Sequence, residues 1–302
     1  MKHNEAVLFH KPIINSHISP GSRATVCIEL FCKNIDGEDV AVGFGSGFFY
    51  ARDDKTYLIT NWHVVTGRNP SNPELTIDNY PASPSGFRFY TASKSNPSFF
   101  KPSPIFPLYV NGQAGWVEVD SKEIYDVVAL EISFEEDADV LIEPINKFAI
   151  NEDFKNVYVG CDVVIIGYPF GIGNANPYPV WKHGYIASEP SILIDGAPKM
   201  FIDSPGLPGM SGSPIYMVSK GVNLPAKSID ILKSQGGIRD FDMSEFLSAP
   251  ETCVLNFVGI YSGSLGDGAF EKMRLGIAWH RFIVDLLFNK PRKGVNPYPP
   301  LQ

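Results

Sequence analysis

Three residues of this chain stand in settings that suit nucleophilic acyl transfer. Ser211 lies in Leu207-Pro208-Gly209-Met210-Ser211-Gly212-Ser213-Pro214, held between glycines. His63 follows an apolar run in Leu58-Ile59-Thr60-Asn61-Trp62-His63-Val64-Val65, and Asp126 opens Asp126-Val127-Val128-Ala129-Leu130-Glu131-Ile132. A serine hydroxyl is a poor nucleophile until an imidazole takes its proton. The imidazole in turn needs a carboxylate to hold its tautomer and stabilise the cation that forms. The turn must also aim backbone N–H groups at a developing oxyanion, which glycine permits, and the expected donors are those of Gly209 and Ser211. The order His, Asp, Ser is one of the chain orders that builds this geometry.

Each fragment alone has a plain structural reading. A Gly-x-Ser-Gly turn arises by chance, a histidine can end a strand, and an aspartate can cap a turn. Asp126 is the sharpest of the three, because four apolar residues follow it and a carboxylate drawn into such a setting needs a partner. Together they point to a His63/Asp126/Ser211 triad.

The elements expected to carry these residues are short strands. Runs rich in β-branched and aromatic residues, bounded by Gly, Asp or Asn, recur at 24–31, 41–50, 57–60, 86–91, 108–110, 115–119 and 127–132. The second half repeats the habit at 157–159, 163–168, 185–188, 199–202, 213–216, 253–261 and 274–278. Helical turns are expected at 228–233 and 243–247. Residues 280–288 read as a helix, with Ile283, Leu286 and Leu287 on one face. The expected fold is all-β, two six-stranded antiparallel Greek-key barrels with a short C-terminal helix. Its parts are an N-terminal arm (1–22), a first β-barrel with His63 and Asp126 (23–140), a second β-barrel with Ser211 and the helix (141–289), and a Pro-rich tail (290–302). The tail is expected to be extended or loose. Residues 67–104, dominated by Pro, Ser and Asn, read as an insertion near the cleft that buries little apolar surface.

Bulk properties narrow the functions. The 302 residues, 44% hydrophobic and 19% charged, suit two globular units. A net charge of −8 with no basic stripe argues against a nucleic-acid partner. The N-terminus lacks a signal-peptide pattern and no apolar run is long enough to span a membrane, so a cytoplasmic location is expected. Cys27, Cys32, Cys161 and Cys253 form no Cys-x-x-Cys pair and read as reduced, mostly buried thiols. No metal site and no cofactor are expected.

The three segments resemble those of the trypsin-like serine peptidases of the chymotrypsin fold, nearer the bacterial HtrA-type and glutamyl-endopeptidase-like branches than the secreted digestive ones. The segments 166–169, 183–188 and 258–263 are also similar to that family, and the pattern runs over residues 24–288. The resemblance implies a cleft between two barrels and a serine endopeptidase working through an acyl-enzyme on a protein or peptide. It also implies that Tyr261, Ser262 and Gly263 pair with the substrate backbone, with Ser262 bonded to Asp126. Pro205, Gly206 and Leu207 would line the specificity pocket.

Pro205 and Tyr261 stand where Lys/Arg-cutting and Glu-cutting relatives carry charged recognition, so an uncharged side chain is expected there. His183 remains the candidate for polar recognition. No PDZ domain is expected after residue 288. Met210 replaces the aspartate that receives a freed amino terminus in digestive relatives, so control by a partner protein or loop ordering is expected. The competing reading is a protease-fold binding module without turnover.

Overall fold

The computed structural model describes residues 18–77, 80–96, 100–135, 138–149, 157–174, 178–222, 243–244, 251–264 and 273–300. The first half holds β1 (Thr25–Lys33), β2 (Asp39–Arg52), β3 (Lys55–Thr60), β4 (Arg68–Asn69), β5 (Asn72–Thr76), β6 (Gly86–Ala92), β7 (Phe100–Pro102), β8 (Phe106–Pro107), β9 (Tyr109–Val110), β10 (Gln113–Ala114), β11 (Trp116–Val119) and β12 (Val128–Ile132). The second holds β13 (Asp162–Gly167), β14 (Val180–Ile186), β15 (Lys199–Asp203), β16 (Pro214–Val222), β17 (Glu251–Ser264) and β18 (Leu275–His280). The helix Phe282–Asn289 and β19 (Pro291–Lys293) follow.

The fold is mostly β, as the sequence predicts. In the second half, β13, β14, β15, β18, β17 and β16 close into a six-stranded barrel. In the first half the strands form one antiparallel sheet in the order β19-β11-β12-β3-β2-β1-β6-β7, with β8 paired to β6. The turn between β2 and β3 puts Asp53 and Asp54 at φ of 49° and 60°, and that between β9 and β10 uses Asn111-Gly112 at 52° and 73°. Two-residue turns of this left-handed type match the twist of the strands they join.

The central strands of the first half are apolar on both faces, and the strand period shows why. Phe49, Leu58, Val128 and Leu130 point into the first half's own core. Their neighbours Phe48, Ile59, Val127 and Ala129 point the other way, against Ile166, Tyr216, Ile260 and Trp279 of the second half. Successive side chains alternate between faces, so a strand buried on both sides must read as a continuous apolar run. Ile283, Val284 and Leu287 of the closing helix pack into the same inter-half layer. Each fully buried side chain of this size contributes about 1.5–3 kcal/mol, and together they fix the two halves against each other.

Three expectations need correction. Residues 157–159 are not a strand: 157 and 158 have no regular structure, and Val159–Gly160 form a turn before β13. Within 67–104, β6 joins β1, and Tyr80, Phe87 and Phe89 are buried in the first core, so this segment is part of the fold. Its polar residues misled because they occupy the turns, while the few aromatics do the packing. The tail is extended but not loose: β19 pairs with β11, and Ser83 Oγ donates to the Tyr298 carbonyl at 2.8 Å. Arg292 Nε reaches the buried Glu118 at 2.8 Å. The expected helical turn at 228–233 and residues 1–17 lie outside the described residues. Of 243–247 only Met243 and Ser244 are described, and they are helical. Cys27 and Cys161 are buried and Cys32 is half-buried. Among the described residues, no helix is long and apolar enough to cross a membrane.

Candidate active site

The antiparallel register of β12 on β3 pairs Val128 with Thr60. Asp126, two residues before Val128, therefore meets the chain just beyond Thr60, where the short helix Trp62–Thr66 begins. Both oxygens of its carboxylate are engaged there. The His63 N–H donates to Oδ1 at 2.9 Å, and His63 Nδ1 lies 2.7 Å from Oδ2. Ser262 Oγ also donates to Oδ2, and Asn61 Nδ2 donates to the Asp126 carbonyl at 2.6 Å. Asp126 is 1% exposed and His63 8%. With Nδ1 against a carboxylate, the ring carries its proton on Nδ1 and leaves Nε2 as the acceptor.

Ser211 sits in the loop between β15 and β16. That loop is pinned to β17, since the Gly212 N–H donates to the Tyr261 carbonyl and the Tyr261 N–H to the Ser213 carbonyl, both at 2.9 Å. Ser262 is thereby set beside Ser211, whose Oγ donates to the Ser262 carbonyl at 3.3 Å. Among the hydrogen bonds of the described residues, none joins Ser211 to the His63 ring. Such contacts are often long in the absence of substrate and tighten when it binds.

Gly209 and Gly212 have φ of 89° and 87°, in the left-handed region that side-chain-bearing residues avoid. A Cβ on Gly212 would also collide with the Ser46 carbonyl. The Pro208 carbonyl accepts the Phe170 N–H at 2.6 Å. Because the peptide is planar and trans, the Gly209 N–H points the opposite way from that carbonyl. No protein carbonyl accepts from the Gly209 or Ser211 N–H among the backbone hydrogen bonds of the described residues.

The residues expected to meet substrate lie around this loop. The Tyr261 ring lies between Gly206 and Gly276: a Cβ on Gly206 would sit 2.6 Å from the phenol oxygen, and one on Gly276 2.5 Å from the ring. Burial pushes the Tyr261 phenol up to about 12. Leu207 packs on the second core, and Gly263 marks a break in the β17–β18 register. The Pro205 carbonyl accepts from Lys182 Nζ, which also bonds Ser204 Oγ at 2.9 Å. Burial, and next the Arg274 charge, lower the Lys182 pKa.

His183, the expected polar contact, is instead exposed on β14, with Nε2 3.1 Å from Asp162. Adjacent strand residues face opposite sides, so Lys182 rather than His183 approaches the Pro205 loop. Ser46 was missed. Its Oγ donates to the Gly209 carbonyl at 2.7 Å and accepts the Tyr168 N–H at 2.9 Å. The signal for it was Gly45-Ser46-Gly47, two glycines inside a strand, which mark a close approach of another backbone.

A family model described as the trypsin-like peptidase domain matches residues 45–222, which takes in His63, Asp126 and Ser211. This chain belongs to the trypsin-like peptidase family. No curated protein matches it. Among solved structures the peptidase domain is similar to an HtrA-type protease solved with a tripeptide, at 14% identity and a TM-score of 0.44. That likeness covers 89% of this chain and 60% of the HtrA-type protease. The peptidase domain thus spans less than two thirds of that protein's length. Among the described residues, no group of three or more His, Cys, Asp and Glu side chains is placed to hold a metal ion.

Proposed function

We propose that this protein is a serine endopeptidase that cleaves protein or peptide bonds through an acyl-enzyme on Ser211. The observation that carries the reading is the doubly held carboxylate of Asp126. With His63 N–H on one oxygen and Nδ1 on the other, the imidazole is fixed in position and tautomer, and Nε2 is the proton acceptor of the site. In the reaction His63 takes the Ser211 proton as Oγ attacks the carbonyl carbon, and the oxyanion forms against the N–H groups of Gly209 and Ser211. His63 then gives the proton to the leaving amine. Water repeats the sequence and frees the acid. Losing one oxyanion donor in such a site costs about 10²–10³ in rate.

The strand edge at Tyr261–Gly263 would hold the acyl part of the substrate by strand addition. With Tyr261 filling the space between Gly206 and Gly276, the side chain before the cut should be small and uncharged. Control by a partner protein or by loop ordering belongs to the same reading. Met210 is buried in the second core and has no charge to pair with a freed amino terminus. Full activity of the purified chain without any partner would overturn that part. A cytoplasmic setting remains part of the proposal.

The test is labelling of the purified protein with a fluorophosphonate probe. Labelling that disappears in Ser211→Ala supports the assignment. Partner control lowers activity without removing the triad, so weak labelling is the expected result for the purified protein, and a folded wild-type protein with no labelling and no peptide hydrolysis would instead be a binding module.

A further inference from the structure

A hollow at Ser211 has no residue of β17 in its walls. It is a cavity of about 590 Å³ whose walls include His63, Ser211 and Gly209, together with residues of β1 and β2. That volume is within the range of built ligand sites. Neither Tyr261 nor Ser262 lines it. Ser211 Oγ contacts the Ser262 carbonyl on its other flank, so the serine stands between the β17 edge and this cavity.

Its walls are closely built and apolar. The Phe44 ring lies over the loop backbone, where a Cβ on Gly171 or Gly209 would come within 2.7 and 2.9 Å of it. The Tyr80 ring lies over Gly43, whose Cβ would come within 2.6 Å. Tyr80 Oη donates to the Phe44 carbonyl at 3.4 Å, so its polar end is turned to the backbone. Val64 completes that side. Glu29, at the rim, is held by Arg88 Nε at 2.7 Å, so its charge is matched within the protein.

Resting on the acyl-enzyme reading, we infer that substrate selection is made mainly after the scissile bond, by a large apolar side chain on the first leaving-group residue entering this cavity. The direction follows from the chemistry. The acyl part stays joined to Ser211 Oγ and lies along β17, while the amine leaves on the side where His63 delivers its proton. His63 and Val64 are walls of the cavity, so the departing residue's side chain falls into it. The acyl side offers less, because the Tyr261 ring already occupies the space between Gly206 and Gly276.

Aminolysis of a preformed acyl-enzyme tests this without relying on any peptide substrate. The wild-type protein is acylated with p-nitrophenyl acetate, and amino-acid amides compete with water for the acetyl group. The amine nitrogen attacks the acetyl carbon, the ester bond to Ser211 Oγ breaks, and the amine proton passes through His63 back to Oγ. Burying a large apolar side chain should favour Phe-amide and Leu-amide over Gly-amide by about tenfold or more, with Asp-amide no better than Gly-amide. Phe44→Ala should cut that preference at least about fivefold, and the ratio is independent of how fast acylation occurs. A wild-type preference of under about twofold, or one for Asp-amide, overturns the inference and leaves the acyl-enzyme reading standing. Absence of a p-nitrophenol burst with no fluorophosphonate labelling overturns both.

Discussion

Ser46 Oγ donates to the Gly209 carbonyl at 2.7 Å, while the Ser46 N–H donates to the Ser211 carbonyl at 2.8 Å. One serine on β2, 163 residues away in sequence from Gly209, therefore holds the Ser211 loop at both ends of its turn. It also joins the two halves, because β2 belongs to the first and the loop to the second.

Removing that hold should loosen the proposed oxyanion donors, the Gly209 and Ser211 N–H groups, without touching the proposed reacting atoms. Ser46→Ala is expected to lower kcat about tenfold to a hundredfold, with KM within about twofold, because small misplacements at a reacting centre cost rate. Ser46→Cys should fall between wild type and Ala. An unchanged kcat in a variant that melts lower would make Ser46 a structural residue only.

The carboxylate of Asp126 holds His63 in one tautomer, so Asp126→Asn should remove most turnover while the fold survives. A loss of about 10⁴ in kcat is expected from the wrong tautomer. Ser211→Ala and His63→Ala should each leave only residual catalysis over water. Peptide hydrolysis above a few per cent of wild type in Ser211→Ala would end the assignment.

The Tyr261 ring fills the space between Gly206 and Gly276, and on the proposed reading it sets the acyl-side pocket. Tyr261→Val should raise kcat/KM for substrates with Leu or Phe before the cut, relative to Ala, by about tenfold. Tyr261→Phe should leave the preference where it is. A wild-type cleavage profile dominated by Arg, Lys or Glu before the cut would contradict the reading.

Burial holds the His280 imidazole down to about 4, against 6.5 in its unperturbed state. The folded protein keeps this ring neutral, whereas the unfolded chain protonates it near 6.5. Between about pH 6.5 and 4 the unfolded state therefore binds the extra proton, and stability falls as pH drops through that window. Melting temperatures measured at pH 7, 5.5 and 4 should show the decline, and His280→Gln should flatten its part of it.

The C-terminal strap should be structural. Glu118 is 3% exposed and is matched by Arg292, which is about one-third exposed. Arg292→Leu leaves a buried carboxylate without its partner and should cost about 1–3 kcal/mol, less than a fully buried pair because Arg292 is partly solvated. The Trp62 Nε1 bond to the Val295 carbonyl at 3.1 Å places the strap against the helix that carries His63. Deleting 290–302 should therefore reduce activity as well as the melting temperature. Unchanged values for both would make the strap dispensable.

The sequence by itself determined the strand-rich class, the strand-end position of His63, the strand-opening position of Asp126 and the glycine-flanked turn of Ser211. These are local matters, carried by apolar period, β-branched runs and glycine, each readable within about ten residues. It could not show that Pro291–Lys293 of the proline-rich tail is a strand of the first sheet, because a short edge pairing has little local signature. Nor could it show that Tyr80 closes one wall of the cavity beside His63. The glycines flanking Ser46 signalled a close backbone approach but not which backbone it would be. The partners of Ser46 come from Gly209, Tyr168 and Ser211, and only packing the second half against β2 brings them together. What distant strands do to one another depends on register and burial, which tertiary structure alone decides.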